Sequence, residues 1–185
     1  IKETIEARGG RMALFFMDMD EFKGIDDRYD YLVGDQVLTE VGERLRKIAE
    51  KNSGMAARVG GEEFAMLLPD IQTEKEAQMT AERIIKDVSE IKPESGRKSP
   101  KDFPVSASVG VILWDSQTEA LPLREVLHRS DLACSRAKQQ GKGHYKFYYA
   151  NDSDLQAMQY SQEHEQQVED EMYGALAKRE FEAYY

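Results

Sequence analysis

With one cysteine in 185 residues, the chain has no internal disulfide. That fits a reducing cytoplasm, and Cys134, lacking the histidine partner of a nucleophile, reads as a small core residue. The three histidines show no zinc spacing: His128 falls in a helical stretch, His144 opens a strand and His164 lies in a polar tail. No apolar run approaches the roughly 18 residues that would span a bilayer, and no signal peptide heads the chain. Positive charge is also short, with 25 Lys and Arg against 35 Asp and Glu and a net charge of −10. That balance argues against nucleic acid as a partner, because a phosphate backbone needs a basic face. A small phosphate ligand stays open, since a bound divalent cation reverses the local field.

What remains, 41% hydrophobic and 32% charged, is the composition of a globular protein with one substantial core. "RMALFFMDMD" (Arg11 to Asp20) holds a continuous apolar run, Met12 to Met17, which reads as a strand buried on both faces and ending in alternating carboxylates. In "DQVLTEVGERLRKIAEK" the apolar residues Val37, Leu38, Val41, Leu45 and Ile48 form one helical stripe. "MAARV", the turn Gly60-Gly61 and Phe64 to Leu68 predict a hairpin. A second helix, "EKEAQMTAERIIKDVSEI", is opened by Thr73 as N-cap, with Glu76 at capping-box spacing. After a polar loop, "FPVSASVGVILW" reads as a central strand, "LPLREVLHRSDLACSRAKQQGKG" as a third helix and "HYKFYYA" as a last strand. The order implies an α+β fold, an α/β sandwich around a mixed sheet flanked by helices. Residues 1–149 form one domain, entered part-way through a helix at its N-terminus. Residues 150–185 are a polar helix and the start of a further strand.

Two acidic stretches carry the chemistry. A carboxylate at the end of a buried strand, Asp18, sits where open sheets place ligands, and a neighbouring hairpin can bring Glu62 and Glu63 beside it. Hard oxygen ligands from two elements suit Mg²⁺, which takes one or two carboxylates plus substrate phosphates and water. Gly60 and Gly61 remove side chains where a phosphate or nucleotide would approach the backbone.

Together, Asp18 to Phe22, the "FK…D…GD" continuation, "GGEEF" and "AKQQGKG" resemble the GGDEF family of diguanylate cyclases, in the family's order and spacing over roughly residues 11 to 149. The resemblance implies a cyclase palm-like fold in which two domains, each holding one GTP, form cyclic di-GMP as a transient homodimer. It further implies Mg²⁺ (or Mn²⁺) held by Asp18, the Met19 carbonyl and Glu62, with Glu62 assisting deprotonation of the ribose 3′-hydroxyl and Glu63 supporting the site. Gly60 and Gly61 would lie against the nucleotide, Asp35 would read the guanine edge, and Lys23, Lys138 and Lys142 would lie near the triphosphate.

The chain departs from the family pattern at "FKGIDDRYDYLVGD": Asp26 stands for the usual asparagine beside the guanine, and Asp30-Tyr31 for Gly-His. An ionised Asp26 accepts hydrogen bonds but donates none. "KNSG" (Lys51 to Gly54) replaces the RxxD product-inhibition motif of many relatives. The tail "VEDEMYGALAKREFEAYY" resembles the linker helix and first strand of an EAL phosphodiesterase domain, and a sensor domain is expected upstream. The alternative expectation is a weakened GTP-binding domain that regulates a fused EAL cyclic di-GMP phosphodiesterase. The tyrosines and phenylalanine of "HYKFYY" read as strand packing.

Overall fold

The computed structural model describes residues 11–24, 31–92, 105–115 and 121–149. In chain order these form β1 (Arg11–Met19), α1 (Tyr31–Lys51), β2 (Met55–Arg58), β3 (Glu63–Pro69), α2 (Glu74–Ser89), β4 (Ala107–Asp115), α3 (Leu123–Gln139) and β5 (Tyr145–Phe147). The five strands make one sheet in the order β2-β3-β1-β4-β5. β1 runs antiparallel to both β3 and β4, whereas β4 and β5 are parallel, so the sheet is mixed as the sequence predicts.

Alternation along β1 divides the core. Ala13, Phe15, Met17 and Met19 pack with the apolar stripes of α1 and α2 on one face. Met12, Leu14 and Phe16 pack with Val126, Leu127 and Cys134 of α3 on the other. A strand covered on both faces can be apolar throughout, which is why β1 is uninterrupted from Met12 to Met17. Each such side chain contributes roughly 1.5–3 kcal/mol by leaving water.

Close approach of α3 to β4 is fixed by Gly110: a Cβ there would lie 1.8 Å from the Ser130 carbonyl oxygen and 2.4 Å from the Cys134 nitrogen. Helix starts and stops follow local chemistry with two differences from expectation. α1 begins at Tyr31, a turn before the apolar stripe. At α2 the Thr73 hydroxyl accepts from the Glu76 N–H at 3.2 Å, as a cap should, but the Glu76 carboxylate reaches back to Gln72 N–H at 2.9 Å, one residue beyond the cap. Residues 1–10, Asp26, Asp30 and the tail 150–185 lie outside the described residues, as does the Tyr31 side chain.

Candidate active site at the acidic end of the sheet

The alternation that buries Met12, Leu14 and Phe16 under α3 carries on to Asp18, and the same parity on β3 carries Ala65 and Leu67 to Glu63. Asp18 and Glu63 are direct partners in the antiparallel register of β1 and β3. Opposed residues share a face, and two like charges so placed repel. The compensation comes from α3: Lys138 Nζ lies 2.5 Å from Asp18 Oδ2. Burial pulls the Lys138 ammonium down, but the Asp18 hydrogen bond and charge, with Cys134 and Asp20 behind them, more than offset it and leave its pKa above the ordinary 10.5.

The hairpin turn is tied to β1 and to itself. Met19 N–H donates to the Glu62 carbonyl at 3.1 Å, and Val59 N–H to the Glu63 carbonyl at 2.9 Å. Arg58 Nε donates to the carbonyls of Gly60 and Gly61 at 3.2 and 3.1 Å. Glu62 is half-buried and Glu63 buried. The two glycines have different reasons to lack a side chain. A Cβ on Gly60 would meet Glu63 Oε2 at 2.4 Å, whereas one on Gly61 would meet nothing within 4 Å. Gly61 is thus the one that faces open space.

Asp20, two residues beyond Asp18, is 4% exposed and makes a clamp that the sequence reading did not find. Its Oδ1 accepts from Ser108 Oγ at 2.7 Å, and its Oδ2 from Ser106 Oγ at 2.9 Å and Gly143 N–H at 2.8 Å. Asp20 N–H also donates to the Ser106 carbonyl at 2.8 Å. One carboxylate therefore joins the ends of β1 and β4 to the loop after α3. That loop carries Lys142, whose Nζ pairs with Glu21 Oε1 at 2.5 Å. The signal was present in the repeating polar positions of "MDMD" and "SAS", both of period two.

Of the residues predicted for the site, the structure brings together Asp18, Glu63 and Lys138, with Glu62 and Met19 joined by their backbones. Lys23 stands exposed in the helical residues 22–24 that follow the turn after β1. Asp35 is exposed on α1, where its carbonyl accepts from Thr39 Oγ1 at 2.8 Å. Neither side chain enters the network around Asp18 among the described residues. Asp26 lies outside them. Cys134 is buried, with its thiol 3.2 Å from the Ser108 carbonyl; burial first, then the charges of Asp18 and Asp131, push its pKa far up, so it is no nucleophile.

Among the described residues, no group of three or more His, Cys, Asp or Glu converges as a metal cage. The opposed carboxylates of Asp18 and Glu63 and the adjacent Glu62 are nonetheless hard oxygen donors of the kind Mg²⁺ takes when substrate phosphates complete its shell. The donor chemistry fits such an ion.

This architecture defines a class: an α/β sandwich whose central antiparallel strand ends in a carboxylate opposed by an acidic hairpin. The diguanylate cyclase GGDEF domain model matches residues 1–144, and the chain belongs to that family. It is 34% identical over 140 residues to the bifunctional diguanylate cyclase/cyclic di-GMP phosphodiesterase MucR of Pseudomonas aeruginosa, covering 75% of this chain and 19% of MucR. It is 31% identical over 183 residues to the cyclic di-GMP phosphodiesterase NbdA of the same organism, covering 99% of this chain and 22% of NbdA. The chain thus spans about a fifth of these relatives. The GGDEF domain of DgcB from Caulobacter crescentus, solved with c-di-GMP, superposes with a TM-score of 0.69 at 26% identity, over 80% of this chain and 81% of that one. No helix among the described residues is long and apolar enough to cross a membrane.

Proposed function

We propose that this domain is a cytoplasmic diguanylate cyclase that condenses two GTP into cyclic di-GMP, with Mg²⁺ or Mn²⁺, as a transient homodimer. The observation that carries the reading is the Asp18–Glu63 pair across β1 and β3, closed by Lys138. The chemistry is two reciprocal in-line attacks, each nucleotide's 3′-hydroxyl on the α-phosphorus of the other, each forming one P–O bond, breaking one α–β phosphoanhydride bond and expelling one pyrophosphate. Asp18, Glu62 and the Met19 carbonyl would hold the metal, supported by Glu63; when bound it supplies charge neutralisation at the α-phosphate. The chain's own residues do the rest. Gly61 leaves open space at the turn, and Gly60 lets Glu63 fold in beside it. Lys138, Lys142 and Lys23 supply cations for the triphosphate. Glu62, half-buried at the turn, takes the 3′-hydroxyl proton. Asp35, exposed on α1, accepts from the guanine N1–H and exocyclic amine, and Asp26 completes the base pocket.

The test is direct: the chain, artificially dimerised, is incubated with GTP and Mg²⁺, and cyclic di-GMP is measured. Product from the parent chain, abolished by Glu62→Gln with the fold intact, supports the cyclase. Full activity in Glu62→Gln sinks the metal assignment. Asp35→Ser should relax preference toward adenine nucleotides, and unchanged selectivity would contradict its role.

A second reading is favoured by the match to NbdA, which runs through the tail as well as the domain. In it, residues 150–185 lead into an EAL-like phosphodiesterase domain, and this domain binds GTP and regulates that partner. GTP binding without cyclic di-GMP formation would select this reading. In either case "KNSG" forms a tight structural turn: Gly54 N–H donates to the Ala49 carbonyl at 2.8 Å and Asn52 Nδ2 to the Ile48 carbonyl at 2.7 Å. Without an Arg fork, that face should not bind cyclic di-GMP tightly; sub-micromolar binding lost on changing Lys51 would refute this.

A further inference from the structure

We infer that Lys138 is the resident counterion of Asp18, which makes this corner a poor site for a free divalent cation and a good one for a cation arriving with a nucleotide triphosphate. The inference deepens the reading proposed above and rests on it for the identity of the ligands.

Glu63 is buried beside Asp18 in register, and the Lys138 ammonium is a cation paired with Asp18, 2.5 Å from its Oδ2. A divalent ion approaching Asp18 alone meets a carboxylate oxygen already engaged and a like charge within contact distance. Both effects are large where water is partly excluded. A triphosphate changes the balance because it offers the ammonium several anionic oxygens in place of one. Lysine suits such an exchange: its ammonium is a compact point charge with three donors on a flexible stem.

The exchange needs only side-chain rotation. α3 is seated close on β4, where the missing Cβ of Gly110 leaves room for Ser130 and Cys134, and the Cys134 thiol, one turn before Lys138, donates to the Ser108 carbonyl at 3.2 Å. The lysine is the more exposed member of the pair, with its side chain 34% exposed against 16% for Asp18. Anions from solvent therefore reach the lysine first. The order that follows is phosphate onto Lys138, then the freed Asp18 onto the metal.

The experiment measures Mn²⁺ binding by the full 185-residue chain without nucleotide, reading free Mn²⁺ by electron paramagnetic resonance. Lys138→Met and Lys138→Gln should each bind Mn²⁺ on the order of tenfold more tightly than the parent, from removal of one like charge at contact distance. Lys138→Arg, which keeps the charge, should stay near the parent, and Asp18→Asn should lose the gain when combined with Lys138→Met. Circular dichroism and urea melts establish that each variant is folded. Equal or weaker Mn²⁺ binding in both neutral variants overturns the inference, as does an equal gain in Lys138→Arg. The assay is independent of turnover. Tighter Mn²⁺ binding with no cyclic di-GMP from the parent sinks the cyclase and leaves the counterion role standing; product without that gain does the reverse.

Discussion

Glu63 folds its carboxylate over Gly60, so that a Cβ on the glycine would lie 2.4 Å from Glu63 Oε2. The atom in the way is the far end of a flexible side chain, so the fold can yield where the site cannot. Gly60→Ala should cost little stability, about 1 kcal/mol or less, while swinging Glu63 away from its place opposite Asp18. Turnover should fall on the order of 10²-fold, as misplacement of about 1 Å does in positioned active sites. Gly61→Ala meets no atom within 4 Å and should leave the free chain's stability unchanged. If nucleotide lies against that turn, its KM for GTP should rise. Urea midpoints and steady-state kinetics on the two variants separate the roles; equal effects would show that the glycines act alike.

How much of this was legible beforehand depends on period. β1 could be read because six consecutive apolar residues, Met12 to Met17, have few explanations other than a strand covered twice. The hairpin was legible from its glycines, and α2 from Thr73 and its stripe. What the sequence could not supply is parity across strands. That Asp18 faces Glu63 rather than Glu62 follows from the β1–β3 register, which no local pattern reveals. The reach of Lys138 to Asp18 depends on how deeply α3 settles onto β4, and Gly110 sets that depth 28 residues away in sequence. Family resemblance pointed to Lys138 only as a residue near a triphosphate; its contact with Asp18 is a tertiary fact.

Asp20 should matter more to stability than Asp18 does. Removing its carboxylate leaves the Ser106 and Ser108 hydroxyls and the Gly143 N–H without their acceptor, at least one of them buried. Hydrogen bonds to a charged group are worth about 1.5–3 kcal/mol each, and losses within one cluster do not add fully. Asp20→Ala should therefore destabilise by about 3 kcal/mol in urea unfolding. Asp20→Asn keeps one acceptor oxygen and should recover part of that loss. Because Gly143 anchors the loop carrying Lys142, Asp20→Asn should also raise KM for GTP more than it lowers kcat. A pure stability loss with unchanged KM would confine Asp20 to holding β1 on β4.

Cys134 gives the fold an alkaline limit. Burial, then the charges of Asp18 and Asp131, raise its folded-state pKa well above the ordinary 9.0. A group with a raised folded pKa contributes its full stability below the unfolded value and loses it as pH rises toward the folded one. Between those values the unfolded chain releases a proton that the folded chain keeps, so stability should fall from pH 9 upward by about 1.4 kcal/mol per pH unit from this thiol alone. Lys138, also raised, begins to add a loss of the same sign only beyond its ordinary 10.5. Urea midpoints from pH 7 to 10 should thus be flat at first and then decline, and Cys134→Ala should flatten the decline below pH 10. The thiol should also resist a disulfide-exchange reagent at pH 8 in the native chain and react at once in urea. A midpoint that declines equally in Cys134→Ala, or rapid native labelling, would show that the thiol is not held protonated under α3.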